Sequence, residues 1–344
     1  MSEERTEIGT LGEFGLIDFL TRNTETYQAG TLVGVGDDAA VTDYFGQQTV
    51  ITTDLLVEGV HFDLSYAPLK HVGYKAVVVN LSDIYAMNAQ PQQLLISLAI
   101  SNRFSVEALA ELYEGIHLAC KHYAVDLVGG DTTSSQSGLV ISGTALGAVA
   151  PDRFVQRGTA RAGDLLCVSG DLGAAYLGLQ LFEREKRIYM ENPGVQPELG
   201  TLTYPLERFL KPEARKDIVA FLAAQGVTPT AMMDISDGLS SDLRHICEKS
   251  SLGCVVYEDR LPVHEQTKQL ALQFKLDYTL CALQGGEDYE LLFAIAPEEE
   301  EKIVLSEQIS VIGKLTEASE GMQLVTAGGH THPLKSLGWD SFSS

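Results

Sequence analysis

Short acidic clusters set beside glycine or hydroxyl residues are the part of this chain best suited to chemistry. They read Gly34-Val35-Gly36-Asp37-Asp38, Thr52-Thr53-Asp54, Gly129-Gly130-Asp131-Thr132-Thr133, Asp234-Ile235-Ser236-Asp237-Gly238 and Gly285-Gly286-Glu287-Asp288. Hard divalent cations such as Mg²⁺ take oxygen ligands, usually a few carboxylates completed by water and substrate phosphates. Glycine beside a carboxylate lets the backbone approach a bulky phosphate and enter turns closed to other residues. Adjacent carboxylates at Asp37 and Asp38 repel unless a cation lies between them. Asp83, in Asn80-Leu81-Ser82-Asp83-Ile84, is a carboxylate inside an apolar helical pattern and is costly there without a partner. Asp234 and Asp237 bracket Ser236 at a helix start, a place that favours anions, so carboxylates there call for a bridging metal. The chain has neither a Gly-x-x-x-x-Gly-Lys-[Ser/Thr] loop nor a kinase catalytic-loop motif. The pattern predicts metal-assisted phosphate chemistry, with phosphates held by cations and glycine backbone.

The elements that must position these clusters alternate between the two regular periods. Apolar spacing predicts helices over residues 10–21, 74–89 and 106–123, and β-branched runs predict strands over 49–53, 93–99, 125–128 and 139–147. A boundary falls near Ala150-Pro151-Asp152. The chain then restarts with a strand over 163–169, a helix over 174–185, helices over 212–225 and 240–250, and strands over 253–257 and 289–294. Residues 191–205, rich in Pro, Gly and polar groups, predict a long loop. This order points to an α/β or α+β fold in two domains, residues 1–150 and 151–344.

Composition narrows the setting. The 344 residues are 45% hydrophobic and 21% charged, the balance of a globular chain. No apolar run approaches the roughly 20 residues of a membrane span, and the acidic start Met1-Ser2-Glu3-Glu4-Arg5 is unlike a secretion signal. Five scattered cysteines without zinc spacing fit reduced, buried thiols in a cytoplasmic protein. The formal net charge of −23 excludes the basic footprint that nucleic acid or an anionic membrane requires. It would also repel a phosphate substrate, which bound cations would offset.

Taken together, the strings Gly34-Val-Gly-Asp-Asp-Ala-Ala-Val41, Thr53-Asp54 with His61-Phe62, Asn80-Leu-Ser-Asp83, Gly129-Gly-Asp-Thr-Thr133, Asp234-Ile-Ser-Asp-Gly-Leu239 and Gly285-Gly-Glu-Asp-Tyr-Glu-Leu291 closely resemble thiamine-monophosphate kinase. The resemblance runs from Glu13-Phe14 to Gly338-Trp339-Asp340. The Gly-Asp-Asp turn alone would indicate only the wider superfamily that includes aminoimidazole ribonucleotide synthetase. The last two strings discriminate. Selenophosphate synthetase would carry a reactive cysteine near its N-terminus, and the hydrogenase-maturation relative ends in one, whereas the first cysteine here is Cys120 and the chain ends Ser343-Ser344. A two-metal phosphohydrolase, which also uses dense aspartates, is the rival from another class.

The resemblance implies phosphorylation of thiamine monophosphate by ATP with several Mg²⁺ ions, giving thiamine diphosphate by direct transfer. By motif position it makes Asp38, Thr52, Thr53, Asp54, Asp83, Asp131, Asp234 and Asp237 metal ligands, with Asp54, Asp131 and Asp237 central to catalysis. Tyr113, Gly130, Asp131, Arg157 and Ser236 would meet ATP. His61, Glu287 and Trp339 would line the thiamine phosphate pocket, Glu287 adding negative charge beside the cationic thiazolium. It further implies an N-terminal domain with a mixed sheet that pairs with its counterpart in a homodimer, and a C-terminal α/β sandwich domain. Residues 183–202 match nothing in that pattern.

Overall fold

The structure, a computed structural model, describes residues 31–33, 36–44 and 46–335. The helix expected over 10–21, the start of the first glycine turn and Trp339 lie outside the described residues. Among the described residues no helix is long and apolar enough to cross a membrane.

The first sheet is built from β1 (Thr31–Val33), β2 (Ala40–Tyr44), β3 (Gln47–Val57), β4 (Gln90–Ile100), β5 (Asp126–Gly129), β6 (Thr132–Ser134) and β7 (Leu139–Val149), in the order β1-β2-β3-β7-β4-β5 with β6 beside β4. It is mixed, because β4 runs parallel to β5 and β6 but antiparallel to β7. Side chains alternate across a strand. Along β7 the inner row Leu139, Ile141 and Ala145 is buried, while Ser142, Thr144 and Leu146 point to the other face. Two helices follow, α1 (Leu69–Ala86) and α2 (Val106–Tyr123). Ser105 caps α2, its hydroxyl accepting the Ala108 N–H, and Ala124 ends it in the left-handed conformation. α1 is buried nearly all round, so its sequence carries little one-sided patterning.

That burial arises because α1 lies between the two halves of the chain. One continuous core joins Val77, Leu81 and Ile84 of α1 to Ile96 and Ile141 of the first sheet and to Met232, Leu291 and Phe293 of the second. The helix can approach β7 because Gly143 has no side chain: a Cβ there would meet the Asn80 amide nitrogen at 2.1 Å. Asn80 in turn accepts the Asp54 N–H through its side-chain oxygen at 3.1 Å. The packing of α1 therefore sets the backbone of a metal-ligand candidate.

The second sheet, in the order β14-β13-β10-β12-β8-β11-β9, contains β8 (Leu165–Ser169), β9 (Ala231–Ile235), β10 (Leu252–Tyr257), β11 (Glu290–Ile295), β12 (Ile309–Glu317), β13 (Met322–Val325) and β14 (Thr331–Pro333). Its helices are α3 (Ala174–Glu191), α4 (Thr203–Leu210), α5 (Lys216–Ala224), α6 (Leu239–Ser250), α7 (Glu265–Phe274), α8 (Tyr278–Gln284) and the short α9 (Glu300–Ile303). Both sheets carry helices, as the α/β expectation requires. The loop expected over 191–205 ends sooner, since α4 starts at Thr203, and α3 runs six residues further than the spacing predicts. All five cysteines are buried and unbridged.

Candidate active site

β9 and β11 pair antiparallel, with Asp234 opposite Leu291 and Ile235 opposite Glu290. This register brings two strings some fifty residues apart onto one sheet edge. The Glu287 N–H donates to the Ser236 carbonyl at 2.7 Å and the Tyr289 N–H to the Ile235 carbonyl at 2.8 Å. Glu287 and Tyr289 both hold positive φ, 70° and 51°, a conformation that persists only where surroundings enforce it.

Three carboxylates from three elements converge here. Oxygens of Asp38, Asp83 and Asp234 all lie within 4.8 Å of one another. Ser82 of α1 donates to Asp234 Oδ2 at 2.6 Å, and the Thr52 hydroxyl donates to Asp83 Oδ2 at 2.5 Å while lying 3.3 Å from the Asp38 carbonyl. Burial pushes the Asp38 carboxyl up to about 8, with Asp234 and Asp37 adding repulsion against the pull of Arg157. Burial and then Asp234 raise Asp54 to about 7. Asp83 is driven well above the usual range by burial, Asp54, Asp234 and Asp38, and Asp234 is raised by burial. Asp38 Oδ2 is buried with no hydrogen-bond partner. An oxygen-only donor set, self-repelling and holding an orphaned carboxylate oxygen, fits a divalent cation.

The cation between Asp37 and Asp38 is partly supplied by the protein. Arg157 is buried, its Nη2 lying 2.5 Å from Asp38 Oδ1 and its Nε 3.3 Å from Asp37 Oδ1. Its own N–H also donates to Asp37. The guanidinium is thus spent on holding the Gly-Asp-Asp turn, with its charge next to the cluster.

A cleft of ≈ 970 Å³ opens from this cluster. Asp54, His61, Asp83, Asp234, Ser236, Asp237 and Glu287 all line it, together with Phe62, Tyr66, Tyr176 and Phe209. His61 Nδ1 accepts the Val57 N–H at 3.0 Å, which places the proton of the neutral ring on Nε2.

Other expected residues stand apart. Thr53 lies on the opposite face of β3 from Thr52 and Asp54, and its hydroxyl donates to the Gly143 carbonyl at 2.6 Å. Gly130, Asp131 and Tyr113 do not line the cleft. Asp131 is exposed, with its carbonyl accepting the Leu98 N–H. Gly130 packs on β4, where a Cβ would meet the Ile96 carbonyl at 1.7 Å. Because Asp54 opposes Gly143 and Gly143 opposes Ile96, Asp131 sits about three strand steps from Asp54, roughly 14 Å of backbone. Within one chain these two carboxylates do not share an ion. Tyr113 is half-buried on α2, its ring 5.9 Å from His117.

Two residues escaped sequence reasoning. Asp242 is fully buried, accepts the Gly238 N–H at 3.1 Å, and is driven well above the usual range by burial, then Asp237, Asp234 and Asp38. Its signal was an aspartate one helical turn beyond Asp237-Gly238, easily taken for a solvated residue. Lys75 pairs with Glu287, so the carboxylate expected beside the thiazolium is held in place by a buried ammonium group while it still lines the cleft. Helical spacing gave no hint of this, because the partner is 212 positions away.

Comparison with known proteins matches the same architecture. Residues 36–149 match the AIR synthase related protein, N-terminal domain, and residues 161–324 its C-terminal domain. The protein named thiamine-monophosphate kinase in Bacillus subtilis (strain 168) is 32% identical over 338 residues, covering 96% of this chain and 100% of that one. Its namesake in Aquifex aeolicus (strain VF5) is 37% identical over 284 residues, covering 82% and 85%. A solved structure of AaThiL complexed with AMPPCP and TMP aligns with a TM-score of 0.83 at 33% identity, covering 98% of this chain and 99% of that one. The chain belongs to the thiamine-monophosphate kinase family and is a kinase.

Proposed function

We propose that this protein phosphorylates thiamine monophosphate to thiamine diphosphate with ATP, by direct in-line transfer with Mg²⁺ at the carboxylate cluster. The observation that carries the reading is the convergence of Asp38, Asp83 and Asp234 at one end of a cleft whose other walls hold His61 and Glu287. Relatives of the same name across the whole length, and a similar structure holding AMPPCP and TMP, support it. Bound there, Mg²⁺ would neutralise charge on two phosphates brought together. Asp38, Asp54, Asp83, Asp234 and Asp237 would hold it, with Thr52 orienting Asp83.

The acceptor phosphate has a second pKa near 6 and is largely dianionic at neutral pH, so no strong general base is needed. A phosphohistidine route has little support. The lone pair of neutral His61 lies on Nδ1, which is committed to the Val57 N–H. Tyr66, Tyr176 and Phe209 offer aromatic faces suited to a cationic ring, and Trp339 belongs to the same proposal by motif position. By motif position Gly130, Asp131, Tyr113 and Ser236 would contact the nucleotide, with Arg157 acting on it through the Asp37-Asp38 turn it holds. The roughly 14 Å of backbone between Asp54 and Asp131 is too long for a single ion.

The test is a coupled assay for thiamine diphosphate with a panel of acceptor phosphates, run beside ATP alone. We expect turnover with thiamine monophosphate and little without acceptor. Phosphate release from ATP alone at a comparable rate would instead support the phosphohydrolase.

We further propose a cytoplasmic homodimer through the outer face of the first sheet. Leu55 is 52% exposed there, and Ile51 and Leu146 sit opposite each other on adjacent strands. An apolar sheet face of this kind is a candidate interface. Leu146→Lys, on the sheet face opposite Asp54, should shift the light-scattering mass from dimer toward monomer. A wild-type protein that runs as a monomer at micromolar concentration would refute the interface.

A further inference from the structure

Lys75, Val79 and Asp83 are spaced i, i+4 and i+8 on α1, so they share one helix face. That face spans about 12 Å, at 1.5 Å per residue, with Val79 and Asp83 in the cleft lining and Lys75 behind the lining residues His61, Phe209 and Glu287. Its Asp83 end meets the carboxylate cluster and its Lys75 end meets the acceptor pocket. The Lys75 side chain is only 5% exposed. Its Nζ pairs with Glu287 Oε2, donates to the His61 carbonyl at 3.2 Å, and lies 5.3 Å from the Phe209 ring centre. The other Glu287 oxygen accepts from the Tyr289 hydroxyl at 3.4 Å.

These contacts have a specific geometry. His61 stands in the loop after β3, in the N-terminal half, and Glu287 on the turn before β11, in the C-terminal half. One ammonium group fixes a wall from each. The Glu287 turn has positive φ on both sides of Asp288, so its backbone has few alternative conformations. A buried ammonium stripped of its carboxylate, or the reverse, is costly.

We propose that Lys75 is a positioning residue for the acceptor: it holds the Glu287 carboxylate and the His61 loop in the arrangement that receives the cationic end of the substrate. This rests on the reading of the cleft as the thiamine monophosphate site. A tie that merely joined the two halves would weaken everything together, whereas a positioning role is selective.

The experiment compares the wild type with Lys75→Met and Lys75→Arg, by steady-state kinetics and by calorimetry with thiamine monophosphate and with a non-hydrolysable ATP analogue. We expect Lys75→Met to weaken acceptor binding and raise the acceptor KM by about tenfold or more, with ATP-analogue affinity within about twofold and kcat within about threefold. Lys75→Arg keeps the charge and should recover most of the acceptor affinity. Unchanged acceptor affinity in the Met variant would overturn the proposal. So would parallel losses for both ligands that track a fall in Tm. If the Met variant does not fold, an Arg variant with acceptor affinity as poor as that of Glu287→Ala would also overturn it. A wild type that binds the ATP analogue but not thiamine monophosphate would sink the acceptor reading itself, a result separable from any Lys75 effect.

Discussion

Asp54→Asn is expected to lower turnover by at least about 10²-fold at saturating Mg²⁺, roughly 2.7 kcal/mol of transition-state stabilisation. Asp54 lines the cleft beside Asp83 and Asp234, and its carboxyl is raised to about 7 by burial and by Asp234. A group in that state is destabilised by its neighbours unless a cation is present. Its fold-level role is confined to the backbone, where its N–H donates to Asn80, and the asparagine keeps that bond. The variant should therefore fold, and its metal-free form should be no less stable than the wild type because one repulsive charge is gone. ATP-analogue affinity measured without metal should change little, while the Mg²⁺ dependence of turnover shifts to higher concentration. Turnover within a few-fold of wild type would remove Asp54 from the machinery.

Much of this site was legible in the sequence because a few strings carry both a turn and a ligand. Gly-Asp-Asp, Ser-Asp in an apolar helix, and Asp-Ile-Ser-Asp-Gly each place a carboxylate at an element end, and the structure gathers Asp38, Asp83 and Asp234. The helix over 106–123 was legible to the residue, since Ser105 caps it and its apolar face is regular. α4 and the end of α3 were hidden by local composition: Pro205 sits in the first turn of α4, where proline is tolerated. Which side of β3 faces α1 was also hidden. A period of two puts Thr52 and Thr53 on opposite faces, but only the packing of Asn80 on Gly143 decides which one meets Asp83. Charge pairing was the least legible of all. Lys75–Glu287 and Arg157–Asp38 join elements whose proximity depends on the whole topology, and no local pattern announces them.

The stability of the metal-free protein should fall as pH rises from 6.5 to 8, and Mg²⁺ should abolish most of that fall. Asp38 is raised to about 8 and Asp54 to about 7, against an ordinary value of 3.8. Between those limits the folded protein keeps protons that the unfolded chain has released. Stability then decreases with pH, by up to about 1.4 kcal/mol per pH unit for each proton retained. Below this window the sign is mixed, because His245 is lowered to about 4 by burial and by Arg157, Arg244 and Lys249, and stability tied to a depressed histidine grows until the unfolded value near 6.5 is passed. Asp288 is also raised to about 8 by burial, but it caps the start of α3 through the Gly173 N–H, and its own loss of stability should persist with metal present. Carboxylates must ionise to hold a cation, so Mg²⁺ affinity rises with pH and offsets the term from Asp38 and Asp54. Over 1.5 pH units the metal-free loss should be about 2–4 kcal/mol. A thermal-shift series in chelator and in saturating Mg²⁺ reads this directly: the Mg²⁺-induced rise in Tm should be several degrees larger at pH 8 than at pH 6.5. An equal rise at both pH values, or a metal-free Tm that does not fall, would mean that these carboxylates are already ionised and compensated by the protein alone, leaving the cluster no cation to hold.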